Sequence, residues 1–104
     1  MADDHERLAT TVINVEEIVR GLRREEQASA EALFAGLIVL RVGYREALLS
    51  GAWRRDFALR GMTLGQADCL IAACAAIAGA RLATGNPRDF PMPDLIVEEW
   101  SVGV

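Results

Sequence analysis

Hydrophobic and polar positions along this chain follow two periods in turn, short β-branched or apolar runs separated by longer stretches with helical spacing. Ala9 to Ile13 (ATTVI) predicts a strand. Asn14, followed by Val15, Glu16 and Glu17, predicts a capped helix that carries Ile18, Val19 and Leu22 inward, with Gly21 loosening its end. Residues 25 to 36 have helical spacing with Ala28, Ala32, Leu33 and Ala35 apolar, and Leu37 to Val42 predicts the next strand. Tyr44 to Arg60 predicts an amphipathic helix closed by Gly61. Its inward positions are Ala47, Leu48, Gly51 or Ala52, Trp53 and Phe57, and its outward ones Arg45, Glu46, Arg54, Arg55 and Asp56. A further helix follows Thr63, then a buried strand at Ala80 to Thr84, a loop around Pro91, Pro93 and Asp94, and a terminal strand at Leu95 to Trp100. Strands alternating with helices predict a single three-layer α/β/α domain over residues 1–104 with a mostly parallel sheet.

The helix after Thr63 departs from that amphipathic pattern. Thr63 and Gln66 have capping-box spacing and Gly79 suits a left-handed cap, so the helix is expected between them. From Ala67 to Ala78 every residue except Asp68 is apolar or small. A helix apolar all round is buried, and a buried carboxylate is costly unless it is paired, hydrogen-bonded or bound to a metal. Beyond the next strand, Gly85, Asn86 and Pro87 break the chain, which places Thr84, Asn86 and Asp89 just past that strand's carboxyl end. Ligands bind at that edge of open α/β sheets, and a neighbouring helix can bring a carboxylate such as Asp68 to it.

Composition restricts the chemistry. Among 104 residues, 52% are apolar and 25% charged, which suits a soluble globular domain with a modest core. Cys69 to Ala78, the longest uncharged apolar run, is too short to span a bilayer, and MADDHERLA at the start is acidic and polar, so a cytoplasmic protein is expected. Cys69 and Cys74 lie five apart on one helix and read as small packing residues. His5 is the single histidine, which leaves catalysis to carboxylates. The net charge of -4 argues against gripping nucleic acid with the whole surface, although all eleven basic residues are arginine, suited to phosphates and to the carboxylates of a partner protein.

Glu17 has two readings on spacing alone. It lies three residues after Asn14, as a capping-box glutamate does, and it lies where a strand's carboxyl end meets a helix start, as a metal ligand does.

Asp68-Cys69-Leu70-Ile71-Ala72-Ala73-Cys74-Ala75, a strand, and then Thr84-Gly85-Asn86-Pro87-Arg88-Asp89-Phe90 with a last strand LIVEEW together resemble the C-terminal half of the PIN-domain nucleases, in particular VapC-type toxins. Asn14-Val15-Glu16-Glu17-Ile18-Val19-Arg20-Gly21 is similar to the family's T-x-x-E-[LI]-x-x-G segment, with Glu17 rather than Glu16 aligning. The resemblance favours the ligand role for Glu17, which does not exclude the cap. It implies that Glu17, Asp68 and Asp89 hold one Mg2+ or Mn2+ ion that polarises a scissile RNA phosphate and activates a water, with Thr84 and Asn86 in support.

The resemblance covers about residues 8 to 100. The family's opening strand, which ends in a segment resembling V-[LI]-D-[TS] and supplies a principal aspartate ligand, has no counterpart here. Two readings follow: a metal-dependent endoribonuclease, or a catalytically impaired remnant acting as an antitoxin-binding module. The absent strand is central in the family's sheet. The strands at Ala9 to Ile13 and Ala80 to Thr84 are therefore expected either to pair with each other or to gain a contact from a second copy, with a homodimer favoured. Exposed Arg20, Arg23, Arg24, Arg54 and Arg55 are expected to meet RNA phosphates or an acidic segment of a cognate antitoxin.

Overall fold

The computed structural model describes residues 9–84, 87–93 and 95–99. In chain order the elements are β1 (Ala9–Thr11), α1 (Val12–Arg20), a 3-10 turn (Arg24–Glu26), α2 (Gln27–Ala35), β2 (Ile38–Leu40), α3 (Tyr44–Leu59), α4 (Gln66–Ala78), β3 (Leu82–Thr84), a 3-10 turn (Pro87–Asp89) and β4 (Val97–Glu99). The alternation read from periodicity is present, and all strand pairing is parallel.

Side chains compete for the first turn of α1, and the outcome differs from the expected cap. Thr11, not Asn14, is the N-cap: its Oγ1 accepts from the Asn14 backbone N–H at 3.2 Å, and its hydroxyl donates to Asn14 Oδ1 at 2.7 Å. Thr11 ends β1 buried, so one residue closes the strand and opens the helix. Glu17 consequently lies beyond the first turn, where a capping box is out of reach.

The centre of the molecule is the α3–α4 pair. Trp53 and Phe57 come from successive turns of α3, and they meet Leu64, Cys69, Ala72, Ala73 and Met92, with Leu49, Ala76, Leu82, Phe90 and Leu95 around them. The alanines and cysteines of α4 have little bulk, so the two helices approach closely and the aromatic rings of α3 fill the space. Burying each ring contributes about 1.5–3 kcal/mol. Ala47 and Leu48, expected inside, are exposed, of the alternatives Gly51 and Ala52 it is Ala52 that is half-buried, and Ser50 is buried as well. The wide rings at Trp53 and Phe57 set which face of α3 turns inward, and Ser50 lies on that stripe.

Leu64 also moves the start of α4. Because its side chain enters the core, residues 62–65 run without helical structure, and the N-cap is Gly65 rather than Thr63. The other end is as expected. Gly79 takes the left-handed conformation at φ 69, and Ala80 N–H closes on Ala75 O at 2.9 Å.

The strands do not form one sheet. Among the described residues β1 pairs only with β2 (Ala9 opposite Ile38, Thr11 opposite Leu40), and β3 only with β4 (Leu82 opposite Val97, Thr84 opposite Glu99). β1 and β3 are not paired with each other. Arg81 and Glu98 form an ion pair across the second sheet. The thiol of Cys74 donates to Arg41 O at 3.5 Å, tying α4 to the chain leaving β2. The apolar positions of α2 do not turn inward: Ala28, Ala32, Leu33 and Ala35 are all exposed.

Candidate active site

Two of the expected acidic residues come together. Asp68 occupies the third residue of α4, and Asp89 ends the 3-10 turn that follows β3. Asp68 is half-buried and Asp89 exposed. Burial pushes the Asp68 carboxyl above the ordinary aspartate value, and the negative charge of Asp89 pushes it further the same way. Both effects run against the positive end of the α4 dipole, which by itself favours an anion in this turn, so desolvation and like-charge repulsion outweigh it. The ion pairs among the described residues, Arg23 with Glu26, Arg55 with Asp56 and Arg81 with Glu98, leave both aspartates without a cation.

Glu17 stands apart from this pair. It is exposed on α1, a helix that packs against α4. Among the described residues no three acidic, histidine or cysteine side chains gather closely enough to hold a metal ion. The three-carboxylate cluster therefore reduces here to Asp68 and Asp89, with Glu17 one helix away. Thr84 closes β3 opposite Glu99 through its backbone. Asn86 and the Thr84 side chain lie outside the described parts of the structure.

The pair fits a hard divalent cation by the chemistry of its donors. Both offer oxygen, and a carboxylate pushed up by burial and by a neighbouring negative charge, as Asp68 is, is relieved by a positive charge beside it. Mg2+ is commonly held by one or two carboxylates, with waters and substrate phosphate completing its octahedron.

Neighbouring thiols do not take part. Cys69 and Cys74 are buried and unbridged, as their spacing predicts. Burial raises both, Cys74 to about 11 with a contribution from Glu46, which keeps it a neutral thiol at neutral pH. At Cys69 the nearby Arg54 opposes the rise and Asp68 adds to it, which places the exposed Arg54 of α3 beside the start of α4. Periodicity gives no role to Gly65, the N-cap of that helix. Its one signal is its place three residues ahead of Asp68.

The PIN domain family matches residues 1–92 of this chain. The chain belongs to the PIN-domain family. Its PIN domain is 32% identical over 96 residues to ribonuclease VapC19 of Mycobacterium tuberculosis, in strains CDC 1551 / Oshkosh and H37Rv, covering 91% of this chain and 77% of that relative. Among solved structures it is similar to DNA-bound VapBC from Salmonella typhimurium, with TM-score 0.80 and 26% identity over 93% of this chain and 78% of that one. VapBC-1 from nontypeable Haemophilus influenzae gives TM-score 0.79 and 28% identity, over 90% and 75% of the respective chains. The PIN fold expected from the α4–β3 motif is thereby established.

Proposed function

We propose that this PIN domain is the toxin of a toxin–antitoxin pair, a Mg2+- or Mn2+-dependent endoribonuclease of the cytoplasm that works as a homodimer. The observation that carries the reading is the Asp68–Asp89 pair, in which the charge of Asp89, from the turn after β3, adds to the burial that raises Asp68 at the start of α4, in a domain 32% identical to a ribonuclease. Asp68 and Asp89 would hold the ion. Such an ion supplies Lewis-acid charge at a phosphate oxygen and lowers the pKa of a bound water. Glu17, on α1 beside α4, would add negative charge, and Thr84 and Asn86 would serve as supporting neutral oxygen donors. RNA hydrolysis then joins the water oxygen to phosphorus, breaks a phosphorus–oxygen ester bond and passes the water's proton to the leaving oxygen.

The negative net charge requires that the RNA backbone be held locally. Arg20, Arg24 and Arg54 are exposed and take part in no ion pair among the described residues, so they are available to phosphates. The same arginines suit acidic side chains of an antitoxin, a partner supported by the similarity to VapBC complexes. The test is cleavage of a labelled RNA by purified protein with Mg2+ or Mn2+. Activity that disappears with chelator and in Asp68→Asn and Asp89→Asn supports the enzyme. A parent protein that binds an antitoxin but cuts no RNA under any divalent condition would establish the non-catalytic antitoxin-binding module instead.

A further inference from the structure

Gly65 is a glycine with no backbone reason to be one. Its φ of -69 and ψ of 142 are open to any residue. It is the N-cap of α4 yet provides no capping side chain, where serine, asparagine or aspartate would bond a first-turn N–H and stabilise the helix slightly more. The neighbour that a side chain here would meet is the Asp68 carboxylate. A Cβ at position 65 would lie 3.4 Å from Asp68 Oδ2 and 3.9 Å from its Cγ. At those distances a methyl group fits without moving the backbone, but it rests on the carboxylate oxygen and takes the place of water or a ligand there.

We propose that Gly65 is a positioning residue for the acidic pair: the bare backbone at the α4 N-cap keeps one flank of the Asp68 carboxylate open, and any side chain there weakens divalent-cation binding by Asp68 and Asp89. The inference rests on the metal-binding reading above and adds to it a residue that is not itself a ligand. Helix stability and cation binding make opposite demands on this position, so serine separates them. It caps the helix and still covers the oxygen.

The experiment titrates Mn2+ into the full chain and into Gly65→Ser, Gly65→Val and Gly51→Ala by calorimetry, with thermal unfolding of each without metal. Gly51 is the control, since nothing lies within 4 Å of a Cβ added there. Gly65→Ser is expected to melt at or above the parent temperature while binding Mn2+ about ten-fold more weakly, within the range for residues that orient ligands. Gly65→Val binds more weakly still, and Gly51→Ala binds as the parent does. Parent-like Mn2+ affinity in both Gly65 variants, with Asp68→Asn losing the binding, would overturn this inference alone. Absence of Mn2+ binding by the parent would overturn the metal-dependent reading and this inference with it.

Discussion

At the scale of single residues the proposed chemistry rests on Asp68, whose environment opposes its charge. Because its folded pKa is raised, protonation favours the folded state: the associated stability is complete below the unfolded value of 3.8 and is lost as the pH rises through the higher folded value. Asp68→Asn is therefore expected to melt higher than the parent at pH 7 and to match it near pH 3, and a lower melting temperature at pH 7 would refute that sign. The same substitution should remove most Mn2+ binding, Asp89→Asn should do likewise, and Glu17→Gln should weaken it only several-fold, since Glu17 is outside the pair. Equal losses at all three positions would show Glu17 bound directly to the ion. Asp68 is legible in the sequence because it is the single charge in an apolar helix, and Asp89 because it follows a broken strand. The position of Glu17 relative to them is not, since spacing along the chain says nothing about how α1 sits against α4.

At the scale of elements, periodicity locates every helix and strand to within a few residues and misplaces the N-caps of α1 and α4. Thr63 and Gln66 have the right spacing for a cap, but Leu64 is worth more in the core than two capping hydrogen bonds are at the surface. Asn14 loses to Thr11 in the same way, because Thr11 is already buried at the end of β1. The inward face of α3 is misread where alanine, leucine and glycine outnumber the two aromatics that decide it. Phe57→Ala should accordingly destabilise the domain by about 3–5 kcal/mol in chemical denaturation, whereas Leu48→Ala, on the opposite face, should cost under about 1 kcal/mol. Gly79 joins α4 to β3 with φ at 69, so Gly79→Ala is expected to cost about 1 kcal/mol and to loosen Asp89 as well as α4. Comparable effects of Phe57→Ala and Leu48→Ala would contradict the packing of α3.

At the scale of the whole molecule the unresolved demand is the open edge of each sheet. Parallel sheets are ordinarily larger than two strands and covered on both faces, yet among the described residues β1–β2 and β3–β4 are separate pairs, and β1 and β3 do not close on each other. Of the two outcomes expected from the sequence, direct pairing is not observed among the described residues, and burial against a second copy is the one to test. Its apolar surface is available. Leu33 on α2 is 66% exposed, and Tyr44 and Leu48, one turn apart on α3, are 78% and 57% exposed. Single exposed apolar residues are ordinary, but a stable dimer needs roughly 1,000 Å² or more of buried surface, and helices α2 and α3 carry the large side chains able to provide it. Light scattering on the purified chain at tens of micromolar is expected to give twice the 11.3 kDa chain mass. Leu33→Glu and Leu48→Glu together should return it to a single chain mass without loss of helical signal, because neither side chain belongs to the core. A parent that is monomeric at this concentration would end the homodimer reading and leave the exposed faces of α2 and α3 to an antitoxin, whose binding the same pair of substitutions would then abolish.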